Sequence, residues 1–411
     1  IGHWLFGIDY PGFFSWHSDG CAEPDFNYRW FYDIELSGRD REFDPRKGLV
    51  TLFHFPGYGR GQSDKSWGIV SKQSVVGISR KRGENAELAL MDYIAETRKP
   101  PRSHLHFNNW YSAEAKSFTR EDFVERTARP IFEQLARYGA HLDAMVPDNG
   151  WQNGKSFQSI YQPQDNPTHE PLPKIRSSLE QLGTRLGIWI ALDGTNNSIS
   201  HGQEIGYRPA YAYSLDRSRR WMQGKSYFDI LQPEYQDDLK EALRFLLKEA
   251  GVDYIKHDFN HNFTSQYVTQ RHARERCLDV TLDLLAFERS LSPDVFQNYT
   301  NGSWFSPWWL QRVDTLWMMS GDSGNNTGWP QVSLRDNATT YRDSWIFQSF
   351  NNPERCLRPI LPVANLMTHG ILFSKKKPYT DFMDPLHEWS DYVVMHLARG
   401  TMLKELYITV E

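Results

Sequence analysis

Residues 235–258 read YQDDLKEALRFLLKEAGVDYIKHD, and a helix gives way to a strand within them. YQDDLKEALRFLLKEAG (235–251) has helical character, and Gly251 ends it. VDYIKHD (252–258) continues with the β-formers Val252, Tyr254 and Ile255, then crowds Lys256, His257 and Asp258 onto its end, with His261 just beyond. The same rhythm extends in both directions from about residue 103. HLHFNNW (104–110) precedes a helix with Asp122, Glu125 and Arg126 on its polar side, and HLDAMVPDNGW (141–151) precedes a helix near 171–185. LGIWIALDG (186–194) leads through a Tyr- and Arg-rich loop to the helix at 235. A helix near 267–289 follows, then VFQNYTNG (295–302) and VDTLWMMSGD (313–322), and LPVANLM with HGILFS (361–374) adds one or two strands. Strands alternating with helices of this length imply parallel βαβ units, and so many in succession predict a (β/α)8 barrel over 91–411.

Ahead of the barrel, short alternating runs such as LVTLFHF (49–55) and WGIVSKQSVVGIS (67–79) are cut by Gly-rich turns. Residues 1–90 therefore read as the later part of a β-sandwich domain, with NAELALMDYIAET (85–97) as a helical linker. GYGRGQ (57–62) matches a phosphate loop only in glycine count and reads as a turn. The chain opens without Met, and its first residues lack the basic region and apolar core of a signal peptide. Its ends look trimmed, which leaves the compartment open.

The 411 residues carry a formal net charge of -5, with basic and acidic residues interspersed. That balance argues against nucleic acid or an anionic membrane as a partner. No apolar run approaches a transmembrane span. Three cysteines, Cys21, Cys277 and Cys356, are too few and too scattered for a disulfide framework or a zinc site. Aromatic residues make up 14% of the chain, including 15 Trp, which suits surfaces that stack on sugar rings.

In a (β/α)8 barrel the C-terminal ends of the strands build the active site. Asn109, Trp110, Asp148 to Trp151, Asp193, Lys256, Asp258, Asn301 and Asp322 all fall there. An aspartate at a strand end is often only the cap of the next helix. Agreement over five or six strands favours function. Lys256 and Asp258 share strand parity, and a cation beside a carboxylate favours its ionised form. Such a carboxylate on a rigid strand end suits a nucleophile at a sugar's anomeric carbon, and Asp322, between Gly321 and Ser323, is the candidate general acid.

YIKHDFN (254–260) resembles the Tyr-x-Lys-Trp-Asp-x-Asn signature of glycoside hydrolase family 36, the α-galactosidases and related α-N-acetylgalactosaminidases. VPDNGW (146–151) is similar to that family's Asp-Asp-Gly-Trp, HFNNWYS (106–112) to its Asn-x-Trp strand end, and DTLWMMSGDSGN (314–325) to its Trp-x-Ser-Asp-Asn segment. The four occur in the family's order from about 104 to 325, and the family also places a β-sandwich before its barrel. The resemblance implies Asp258 as nucleophile and Asp322 as acid/base, without metal or cofactor. It implies Trp110, Asp148, Trp151 and Lys256 around the terminal sugar. Asn149, Asp193, Asn260, Asn301 and Trp304 complete the candidate substrate contacts.

The departures lie where substrate is chosen. Asn149 stands for the family's second Asp, which turns an acceptor-only group into a mixed donor and acceptor. His257 replaces the Trp between Lys and Asp, NYTNGSW (298–304) replaces a Cys-Ser-Ser-Gly-Gly stretch, and Gly321 precedes the acid/base in place of Ser. The expected activity is a retaining exo-α-glycosidase acting on galactose-configured sugars at the ends of oligosaccharides or polysaccharides. N-acetylated, anhydro or otherwise modified galactose stays open. So does transfer to a sugar acceptor, as in the raffinose and stachyose synthases, whose Asp-Asp-Gly-Trp-Gln motif Gln152 continues. A non-catalytic carbohydrate-binding barrel and a metal-dependent hydrolase are the other classes weighed, and self-association of the chain is left open.

Other signals are weaker. His257 and His261 have helical metal spacing but straddle a strand end, and His104 and His106 alternate along a strand, so hydrogen-bonding or core roles are preferred. No nucleophile elbow of the G-x-S-x-G type occurs. Sequons such as 262–264 and 337–339 are expected by chance in an Asn-rich chain. WFSPWW (304–309) is either core or a sugar platform.

Overall fold

The computed structural model describes residues 4–8, 74–78, 86–111, 120–152, 170–194, 199–211, 226–259, 271–300, 307–317, 362–368, 370–373 and 386–408. Strands β1 (Trp4–Ile8) and β2 (Ser74–Ile78) form an antiparallel pair, followed by helix α1 (Ala86–Thr97). Then the alternation begins: β3 (His104–Asn108), a wide helical turn over 120–128 running into α2 (Arg129–Ala136), β4 (Ala144–Val146), α3 (Leu172–Gln181) and β5 (Arg185–Ile190). After α4 (Ile199–Glu204) a small hairpin of β6 (Pro209–Tyr211) and β7 (Ser226–Phe228) interrupts it. It resumes with α5 (Pro233–Arg244), β8 (Tyr254–His257), α6 (Arg271–Leu291), β9 (Phe296–Tyr299) and β10 (Thr315–Trp317). The last elements are β11 (Leu366–Met367), β12 (Ile371–Phe373), α7 (Leu386–Ala398) and β13 (Leu403–Ile408).

Nine strands lie side by side in the order β11-β10-β9-β8-β5-β4-β3-β13-β12. Every pairing in that row is parallel. Its two ends, β11 and β12, are successive pieces of one stretch of chain. β11 pairs with β10, and β12 pairs with β13. Counting that stretch once, the sheet curls into a nearly closed barrel of eight parallel staves. The (β/α)8 architecture is therefore the observed one.

The local chemistry explains the stretch that opened the reading. Pro233 at the first turn of α5 has no amide to leave unsatisfied, and Glu234 faces the positive end of the helix. Past Arg244 the helix widens into a π-type turn over Phe245–Glu249. Gly251, at φ 65°, then reverses the chain, and Val252 N–H closes the end on Leu246 O at 2.9 Å. β8 follows at once, with all four residues buried, as a parallel strand covered on both faces must be.

Alternate residues of the staves face the lumen or the helices. Ala144, Val146, Tyr254, Phe296, Met367 and Leu403 pack together as the lumen filling, while Met145, Ile188, Ile190 and Ile255 join the larger core beneath the helices. On the lumen face of β4, β8 and β13 the next residues toward the C-terminal ends, Asp148, Lys256 and Glu405, are polar, and on β3 that face carries His104, His106 and Asn108. That change from apolar to polar is what positions the site.

β13 escaped the sequence reading, although LKELYI alternates buried and half-buried residues with period 2. Among the described residues no helix is long and apolar enough to cross a membrane. Cys277 is buried.

Candidate active site

The strand ends bring four polar side chains of three staves together. Asp148, two residues past β4, is buried, and its Oδ2 accepts from Lys256 Nζ at 2.9 Å and from Asn108 Nδ2 at 2.8 Å. Its Oδ1 accepts the Asn149 amide N–H at 2.8 Å, and its own N–H donates to Asn109 Oδ1 at 2.7 Å. Asn108 Oδ1 in turn accepts the Trp110 N–H at 2.8 Å. The carboxylate is thus fixed on every side, and the buried Lys256 is its counter-ion. Burial alone would lower the Lys256 pKa. The charges of Asp148, Asp258 and Glu405, with the hydrogen bond to Asp148, outweigh it and hold the ammonium well above its ordinary range.

Asp258 stands just past β8 on the parity of Lys256. Its Oδ2 accepts the indole N–H of Trp189 at 3.0 Å, and its Oδ1 accepts the N–H of Phe259 at 2.9 Å. Phe259 holds φ at 51°, a left-handed conformation that a bulky side chain rarely adopts. That backbone turns its N–H back onto the carboxylate. Both oxygens are therefore oriented by neutral donors, with a buried cation two residues away. Trp189 is itself placed by β5, which runs beside β8 with Trp189 opposite Lys256.

The remaining candidates fall into distinct places. Trp110, 36% exposed, is the most open of the described ones. Trp151 is buried, its indole N–H given to Trp189 O at 2.8 Å, so it supports the residue that orients Asp258. Asn149 is half-buried and its Oδ1 accepts from Gln152 Nε2 at 2.7 Å, while Gln152 Oε1 accepts the Gly150 N–H at 3.0 Å. Asp193 is buried beyond β5. Burial first, then the charges of Asp193 and Glu288, push the Tyr299 hydroxyl well above its usual range. Asn260, Asn301, Trp304 and Asp322 lie outside the described residues, as do His261, Cys21 and Cys356.

His257 turns onto helix α6, its Nε2 3.0 Å from Glu288 Oε2, which also accepts from Gln297 Nε2 at 2.8 Å. His104 and His106 are buried in the lumen. His104 stacks on Phe296 at 4.4 Å and on Tyr254 at 5.1 Å between ring centroids. Among the described residues no three His, Cys, Asp or Glu are grouped to hold a metal. Sequence reasoning passed over Asn108, Trp189, Glu405 and Tyr407. Asn108 was legible as the residue sharing parity with His104 and His106. Trp189 was not, because its bond to Asp258 crosses between strands 69 residues apart.

The fold has counterparts among solved structures. The galactosidase domain of the α-galactosidase–sucrose kinase AgaSK aligns with a TM-score of 0.53 and 15% identity, over 82% of this chain and 43% of that one. The family 36 α-galactosidase AgaA of Geobacillus stearothermophilus gives 0.54 and 13%, over 82% and 44%. The α-galactosidase TtGalA of Thermus thermophilus, solved with stachyose, gives 0.50 and 14%, over 82% and 68%. The likeness is one of fold. The chain spans less than half the length of AgaSK and AgaA. No protein-family model and no curated protein sequence matches it.

Proposed function

We propose that the chain is the catalytic barrel of a retaining exo-α-glycosidase for galactose-configured sugars, a relative of the family 36 α-galactosidases. The observation that carries the reading is Asp258. It is a carboxylate at a barrel mouth, held through both oxygens, beside a buried Lys256–Asp148 pair. In this reaction Asp258 attacks the anomeric carbon while Asp322 gives its proton to the departing glycosidic oxygen, leaving a covalent glycosyl ester. Asp322 then takes a proton from water, which displaces Asp258 and releases the sugar with its original configuration. Lys256 and Asp148 bind sugar hydroxyls, the lysine as donor and the carboxylate as acceptor, and Trp110 offers its open ring to the sugar face.

The substrate is the non-reducing end of an oligosaccharide or polysaccharide. Neither nucleic acid nor membrane takes part, and no metal ion is required. The test is hydrolysis of aryl α-galactoside against aryl α-N-acetylgalactosaminide by wild type and Asp258→Asn. Wild type should cleave one of them, with turnover falling by several orders of magnitude in the variant. A variant as active as wild type removes Asp258 from the mechanism. Turnover abolished by EDTA would replace the two-carboxylate reaction with a metal-dependent one.

A further inference from the structure

The lumen of a parallel eight-stave barrel is ordinarily filled with branched apolar side chains. Here a carboxylate intrudes. Glu405 of β13 is 1% exposed. Its Oε1 accepts from Tyr407 Oη at 2.8 Å and lies 3.5 Å from His106 Nε2, and among the described residues its Oε2 has no hydrogen-bond partner. A buried carboxylate with an unmatched oxygen opposes folding unless charge compensates it. Besides His106 on the neighbouring strand, a cation lies across the barrel, where the charge of Glu405 acts on Lys256. β13 stands four places from β8 in the row of strands, which in eight staves is the opposite wall.

Tyr407 spans that gap. Its hydroxyl is tied to Glu405, and Lys256 Nζ lies 5.8 Å from its ring centroid, within reach of a cation–π contact. We propose that Glu405 is a positioning residue. Its charge, together with the Tyr407 ring it steers, braces the Lys256 ammonium from the far wall and keeps it seated against Asp148. The inference rests on the reading of Lys256 as a sugar contact. The groups facing Lys256 are then Asp148 of the β4 end, Asp258 of its own strand end, and Glu405 and Tyr407 of β13, with His106 of β3 behind Glu405.

Four proteins test it: wild type, Glu405→Gln, Lys256→Met and the double variant. Gln keeps shape and an acceptor for Tyr407 but removes the charge. With aryl α-galactoside, Glu405→Gln should lower kcat/KM about tenfold or more, chiefly through KM, because a displaced ammonium misplaces the sugar. In the Lys256→Met background the same change should do nothing further, and the melting temperatures of the four should be non-additive in the same sense. If wild type cleaves the substrate and Glu405→Gln matches it, the brace falls and the glycosidase reading stands. Equal losses in both backgrounds reduce Glu405 to a structural residue and overturn the proposal. If wild type cleaves no α-glycoside, the glycosidase reading falls. The melting cycle alone then decides, with coupling supporting the brace and additivity refuting it. Should Glu405→Gln not fold, Tyr407→Phe replaces it in the same cycle.

Discussion

The bond from Trp189 to Asp258 makes Trp189→Phe a direct way to loosen the proposed nucleophile, since it removes that N–H while keeping an aromatic, though smaller, ring. Turnover should fall about ten- to a hundredfold because orientation is lost, and the melting temperature should drop as well because the smaller ring leaves a cavity at a buried position. Unchanged kcat would mean that the Phe259 N–H alone suffices. Asp322→Ala should slow substrates with poor leaving groups far more than activated aryl glycosides, which need no protonation. A Brønsted series of aryl glycosides reads that directly, and equal slowing of all members would contradict the role. At this scale the sequence was informative wherever the grouped polar residues sit on one strand. Lys256 and Asp258 were legible from parity and charge, and Asp148 from its place at a strand end. Trp189, Glu405 and Tyr407 act across strands, and no local pattern announces a contact made by distant segments.

Among the elements, the join of β11 to β12 is where the barrel's edges meet. Gly370 sits there at φ 51°, and a Cβ would lie 2.0 Å from the carbonyl oxygen of Glu405. Gly370→Ala should therefore destabilise by on the order of 3 kcal/mol, combining a backbone clash with a strained dihedral. Urea denaturation would show it, and a stability equal to wild type would mean that the closure is softer than drawn. The same clash pushes on β13, so the variant should also lose activity through Glu405. The strand–helix units from β3 to β10 were readable from their alternating periods. β13 was not, because its amphipathic LKELYI resembles any half-buried strand and no chemical motif ends it. The helix read at 85–97 is present as α1, a single continuous helix over Ala86–Thr97.

For the whole molecule, the buried lumen sets a pH dependence. Burial first, then the charges of His106, Arg102 and Arg185, hold the His104 pKa well below the ordinary histidine value of 6.5. The folded protein keeps this ring neutral, while the unfolded chain takes up a proton below 6.5. His104 therefore contributes stability that is present above that pH and is lost as pH falls from it toward the depressed folded value. The slope is on the order of 1.4 kcal/mol per pH unit for one proton. His104→Phe should flatten the fall in unfolding free energy between pH 6.5 and 5 by that amount. Identical slopes in both proteins would show that the ring is already charged when folded. The architecture was legible because a (β/α)8 barrel repeats its signal many times. The identity of the proposed sugar was not, because no local pattern in the sequence specifies it.

Whether Asp258 bonds covalently to the sugar can be read from the mass of the trapped enzyme. Wild type treated with a 2-deoxy-2-fluoro-α-galactosyl fluoride should slow and gain one fluorosugar. After proteolysis that mass should reside on the peptide containing Asp258. An adduct on a different side chain, or undiminished turnover with no adduct, would contradict the account.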